Sequence, residues 1–207
     1  MLETTSQTSE YEKLLRRVIA TLNVLSLAAF VAGCSSGPPS RYYTLVAANT
    51  TAADSSKLSV LVGPVSVPAI VDRPQIVVDI GANQVRLEEF NRWAAPLQAT
   101  IARVVADNLV GMLGTPRVTL SSQTLSADAD FRASIDVQSF QSAPGESATL
   151  DAVWTVRRIK DGKAETGRTN AREPMQEKSY DALAAAHSRA LARLSQDIAT
   201  AVRALAQ

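Results

Sequence analysis

Residues 147–172 read SATLDAVWTVRRIKDGKAETGRTNAR. In its first half Leu150, Ala152, Trp154, Val156 and Arg158 take alternate positions, the period of a strand with one buried face. Asp161-Gly162 follows, a dipeptide suited to a tight hairpin because glycine tolerates positive φ. Lys163 to Arg172 returns as a polar strand fit for a sheet edge, and Pro174 ends it. A long hairpin of this kind demands a sheet around it and something apolar beneath it.

Upstream, Ala129 to Gln141 alternates in the same way, with Phe131, Ala133, Ile135, Val137 and Ser139 expected on one face. Arg117 to Leu120 is a short strand. Ahead of it the period changes. Leu97, Ile101, Val104, Val105, Leu109, Met112 and Leu113 recur at helical spacing, Pro96 fits a first turn, and Gly114 with Pro116 stops the helix. Before that helix come four strand-like runs: 41–46, 58–67, 75–80 and 84–90. Gly63-Pro64 implies a bulge or an edge position in the second, and Gly81-Ala82-Asn83 joins the third to the fourth. Downstream of the long hairpin, Ser179 is a good N-cap. Tyr180, Leu183, Ala184, Leu191, Leu194, Ile198, Val202 and Leu205 form a helical stripe to the C-terminus. Alanines at 182, 184, 185, 186, 190 and 192 would let this helix approach the sheet, or another chain, closely.

The order is therefore ββββα-ββββα. The expected fold is α+β: a single domain over residues 41–207, a mostly antiparallel sheet with two packed helices.

The N-terminus carries a different signal. Lys13, Arg16 and Arg17 form a basic cluster, Val18 to Val31 an apolar run, and Val31-Ala32-Gly33-Cys34 closes it. This is the pattern of a lipoprotein signal peptide, with small residues at the cleavage site and a thiol to take a diacylglyceryl group. The run is too short and too interrupted to remain as a membrane span. Residues 1–33 are thus expected to be removed, and 34–40 to form a lipidated terminus and a short linker. Residues 1–12, with Glu3, Glu10 and Glu12, are long and acidic for such a leader, and a start codon further in is the expectation.

Composition excludes several functions. The net charge is +1, and the leader's charges cancel, so the mature chain keeps that value. Nucleic-acid binding would want a basic excess. Cys34 is the sole cysteine and His187 the sole histidine, so no His/Cys zinc site can be assembled in one chain. A cofactor is not expected beyond the covalent lipid on Cys34. His187 falls on the apolar stripe of the last helix, the place of a packed histidine with one ring nitrogen hydrogen-bonded. No catalytic residues are expected.

The segments Pro68-Ala-Ile-Val-Asp72-Arg73-Pro74-Gln75-Ile76-Val77 and Leu87-Glu-Glu-Phe-Asn-Arg92-Trp93-Ala94-Ala95-Pro96-Leu97 go together with Tyr42-Tyr43-Thr44-Leu45 and the closing Tyr180-Asp-Ala-Leu. With these motifs the chain resembles the ABC-type transport auxiliary lipoprotein family, the PqiC (YmbA)-like proteins. It departs in its polar leader and in Ala94-Ala95, where an acidic residue is expected in many relatives. The resemblance implies a periplasm-facing lipoprotein of the outer membrane. Ser35 after the cysteine, rather than aspartate, agrees with that sorting. It implies a partner, a PqiB-like MCE-domain protein that spans the periplasm and carries lipid, and a homo-oligomeric ring to meet it. The alternative is a structural or assembly lipoprotein that handles no lipid. Asp72, Arg73, Pro74 and Trp93 are the candidate partner-docking residues. Against that role, Asp72-Arg73-Pro74 also suits a structural turn in which Asp72 accepts from backbone N–H groups, and Trp93 suits a core position.

Overall fold

The computed structural model describes residues 16–19, 38–48, 56–121 and 129–207. The lipobox, Val31 to Cys34, lies outside them. Residues 16–19 are helical and exposed. Residues Ser40–Gln207 form one compact unit.

Within that unit the element order is β1 (Arg41–Tyr43), β2 (Val60–Ser66), β3 (Gln75–Gly81), β4 (Gln84–Trp93), α1 (Leu97–Leu113), β5 (Val118–Leu120), β6 (Phe131–Ala143), β7 (Ser147–Arg158), β8 (Ala164–Pro174) and α2 (Tyr180–Ala206). The α+β class and the ββββα-ββββα order are as expected. The strands divide into two mixed sheets, β1-β4-β3 and β5-β2-β6-β7-β8. The β3–β4, β6–β7 and β7–β8 pairs are antiparallel. β1 with β4, and β2 with both β5 and β6, are parallel. Parallel pairs arise because β1 and β2 find partners far along the chain, which no tight turn can deliver.

The sequence signals act locally as expected. Gly63 takes φ 118°, and the β2–β6 register shifts between Val62 and Val65. Gly63-Pro64 therefore makes a bulge in a central strand. Gly114 ends α1 in the left-handed conformation, its N–H bonding to the Val110 carbonyl. The Ser179 side chain accepts from Ala182 N–H at 3.1 Å and starts α2. β8 is an edge strand.

One face assignment changes. Phe131, Ala133, Ile135 and Val137 are buried, but Ser139 is not the next inward residue; Phe140 and Ser142 are. The β6–β7 register slips between Val137 and Ser139. One extra residue at a bulge inverts the alternation beyond it.

Both helices pack on the larger sheet and on each other. α1 buries Leu97, Ile101, Val104, Val105 and Leu109, and α2 buries Leu183, Leu191, Leu194 and Ile198. At about 2 kcal/mol for each fully buried aliphatic side chain, this stripe holds α2 far better than helix propensity alone. Between the helices Asn108, fully buried, donates to Ser195 Oγ at 3.1 Å. Its Oδ1 accepts from Ala48 N–H at 2.8 Å. Nearby, Ser188 Oγ accepts from Val46 N–H at 3.1 Å and donates to the Ala184 carbonyl at 2.8 Å.

Candidate functional site

The four residues Asp72, Arg73, Pro74 and Trp93 come together. They line one cleft of about 430 Å³ with Tyr42 and Pro96. Asp72-Arg73-Pro74 lies between β2 and β3, and Trp93 ends β4. Tyr42 comes from β1, opposite Arg92, and Pro96 caps α1. Three distant segments are thus joined at one opening.

Backbone bonds shape it. Val71 N–H and Asp72 N–H both donate to the Pro68 carbonyl, at 3.0 and 3.2 Å, and Arg73 N–H donates to the Val71 carbonyl at 2.9 Å. Trp93 N–H donates to the Pro74 carbonyl at 2.7 Å, and Ala94 N–H to the Tyr43 carbonyl at 2.8 Å. The turn is closed by the main chain. The Asp72 carboxylate, expected to cap it, is exposed and has no hydrogen bond among the described residues.

Arg73 is half-buried, and its Nε is buried with no acceptor among the described residues. Leaving a charged donor unmatched is costly; an acceptor brought by a partner would remove that cost. Around it stand Tyr42, 64% exposed, and two prolines. An aromatic and proline wall with one arginine is well suited to protein docking.

Trp93 is 6% exposed and belongs to both the cleft and the core. Its ring meets Phe140 edge-on at 6.2 Å and His187 edge-on at 6.1 Å. His187 lies behind it, fully buried, with Nε2 2.9 Å from Ser142 Oγ. Burial pushes its pKa down to about 3, so the ring is neutral. This is the packed histidine expected from the helical stripe. Its Nδ1 has no partner among the described residues.

Beside the cleft-forming strands, Glu88 links the small sheet to α2. Burial opposes its charge, but hydrogen bonds with Arg86 and Tyr180 outweigh that and hold the carboxyl below its usual range. Burial, then the Glu88 carboxylate, pushes Tyr180 up to about 12. Nothing in the local sequence sets Glu88 apart from the exposed Glu89; the tyrosine opening α2 is the one clue to its partner.

A larger hollow of about 590 Å³ is bordered by Lys57, Arg117, Asp130 and Lys160. Asp130 is already engaged, accepting from Ser59 N–H at 2.8 Å and Ser59 Oγ at 2.7 Å. None of the sequence-derived candidates lies there. Among the described residues no cluster of His, Cys, Asp or Glu could hold a metal ion, and no helix is long and apolar enough to cross a membrane.

A family model described as the ABC-type transport auxiliary lipoprotein component matches residues 43–199. No curated protein matches the chain. Among solved structures, a crystal structure of an uncharacterized protein is 21% identical with a TM-score of 0.65, covering 80% of this chain and 99% of its own. A DUF330-family protein from Xanthomonas campestris is 19% identical with a TM-score of 0.57, covering 76% of this chain and 92% of its own. At these identities the likeness concerns the fold.

Proposed function

The chain belongs to the ABC-type transport auxiliary lipoprotein family, and from that membership we propose that it is a non-catalytic docking subunit of an intermembrane lipid transport system. In this reading Cys34 carries the lipid, residues 1–33 are the removed leader, and the folded domain faces the periplasm from the outer membrane. Its partner is a periplasm-spanning MCE-domain protein, met by a homo-oligomeric ring of this chain. The system it serves maintains the envelope.

The observation that carries the proposal is the cleft. Asp72, Arg73, Pro74 and Trp93, chosen from the sequence, share one opening with Tyr42. Arg73 presents a donor that the described residues leave unmatched. An extended segment with a carboxylate or free carbonyl groups, laid over Tyr42 and the prolines, would satisfy both the charge and the apolar wall.

The test is site-specific photocrosslinking from position 42 in living cells, with and without Arg73→Ala. The expected product is a covalent adduct to a tunnel-forming MCE protein, reduced at least fivefold by Arg73→Ala. Adducts to a porin or a cell-wall protein instead would establish the structural role and overturn the transport reading.

A further inference from the structure

β1 runs parallel to β4, with Arg41 opposite Asn91. The chain therefore enters β1 from the side on which β4 begins, and that side ends in the β3–β4 hairpin. Seven residues separate Asn91 from Gln84, and register shifts against β3 between Arg92 and Glu88 and between Val85 and Gln84 shorten the span below the about 23 Å of a regular strand. From Arg41 back to Cys34 is also seven residues, a reach of at most about 24 Å. The hairpin tip lies on the side from which the chain enters β1, within the maximum reach of the seven residues back to Cys34.

The tip is apolar and uncovered. Ile80, Val85 and Leu87 are 45%, 41% and 38% exposed. Val85 and Leu87 lie two apart on β4 and share a face, and Ile80 stands beside the turn on β3. Arg86 Nε lies 2.7 Å from Glu88 Oε1 and Asp79 stands opposite Val85, so the tip carries no cationic excess. Apolar side chains without a cationic excess suit the interface of a bilayer rather than a cluster of anionic headgroups.

We infer that the β3–β4 tip is a membrane-contacting surface, seating Ile80, Val85 and Leu87 in the interface of the bilayer that holds the Cys34 lipid. The inference rests on the lipid-anchor reading of Cys34. Three part-exposed side chains bury too little apolar area to bind a membrane unaided. With the anchor in place the contact is effectively intramolecular, and it sets orientation. Pro74 and Trp93 lie at the opposite ends of β3 and β4, so the docking cleft is held away from the bilayer and open to a periplasmic partner.

Acylation consumes the chain's only cysteine, which makes an added cysteine a unique labelling site. Lipidated Val85→Cys, Leu87→Cys and, as a control on exposed β8, Glu165→Cys are labelled with an environment-sensitive fluorophore. They are reconstituted in phosphatidylcholine–phosphatidylethanolamine vesicles with brominated acyl chains. The labels at 85 and 87 are expected to blue-shift and be quenched at least twofold, the one at 165 to stay aqueous. Equal, weak quenching at all three sites overturns the inference. So does a blue shift in detergent that grows with protein concentration, because a second copy then covers the tip. Intact mass of the same samples separates the two readings: no acyl mass on Cys34 overturns both, whereas acylated protein with aqueous labels overturns the tip alone.

Discussion

The His187 imidazole lies flat on the Phe140 ring, with centroids 3.8 Å apart and planes 9° apart. Together with Trp93 these rings form the floor on which the cleft stands. A neutral imidazole can stack there; a protonated one would need an acceptor at Nδ1 that the floor does not supply.

The first consequence is a loss of stability in acid. The folded pKa of His187 is lowered to about 3 from 6.5. Between those values the unfolded chain binds the proton and the folded chain does not. The contribution is therefore complete above about pH 6.5 and is lost as pH falls toward 3, by up to about 1.4 kcal/mol per unit. Urea titrations at pH 7.5, 6 and 5 should show this slope in the wild type and a shallower one in His187→Gln. Identical slopes would mean that His187 does not titrate as a buried group.

Asn108 bridges the two helices and the segment after β1. Asn108→Leu should cost about 2 kcal/mol, because the buried Ser195 hydroxyl loses its donor and Ala48 N–H loses the Oδ1 acceptor. Adding Ser195→Ala in that background should cost less than in the wild type, since the hydroxyl has already lost Asn108 and keeps only its bond to the Leu191 carbonyl. A double-mutant cycle by chemical denaturation measures the coupling; strict additivity would contradict the bridge.

Gly167 faces Trp154 across the β7–β8 pair. A Cβ at 167 would lie 2.7 Å from two indole carbons, Cε2 and Cη2, inside normal contact. Gly167→Ala should destabilise by about 1–3 kcal/mol. The penalty should shrink in a Trp154→Phe background, where the smaller ring leaves room, although that background also loses the bond from Trp154 Nε1 to Thr169 Oγ1, 3.1 Å long. Thermal melts of the four proteins decide it.

Cys34→Ser should abolish acyl labelling and leave an unprocessed precursor. Radiolabelled palmitate incorporation and the size of the product on a gel report both. Normal processing and membrane retention of that variant would remove the anchor from the account.

Element types and their order were legible because period two and period 3.6 alternate cleanly along the chain. Strand partners were not, because alternation reports which face is buried and not which strand lies alongside. β2 illustrates this: nothing in VLVGPVS says that it sits between β5 and β6. The inward turn of Phe140 was hidden by a bulge that no glycine or proline announces. The docking residues were legible as motifs, but their convergence depends on β1 pairing with β4, some fifty positions away. Tyr42 could not be joined to them without it. Asn108 was visible as a polar residue on an apolar stripe and invites the question of a partner. Gly167 gave no signal, since only the position of the opposing indole makes it necessary.

The hydrogen bond from Val46 N–H to Ser188 Oγ joins positions 142 residues apart, and β2 waits for β6 about seventy residues later. Synthesis delivers the chain from one end only. The early strands must therefore remain without their partners until the later ones emerge, and the first strand's neighbourhood is sealed only when the last helix arrives. Slow, late closure of this kind leaves apolar strands open to wrong pairing. Newly made chains would thus depend on a holding chaperone until translation and delivery are complete.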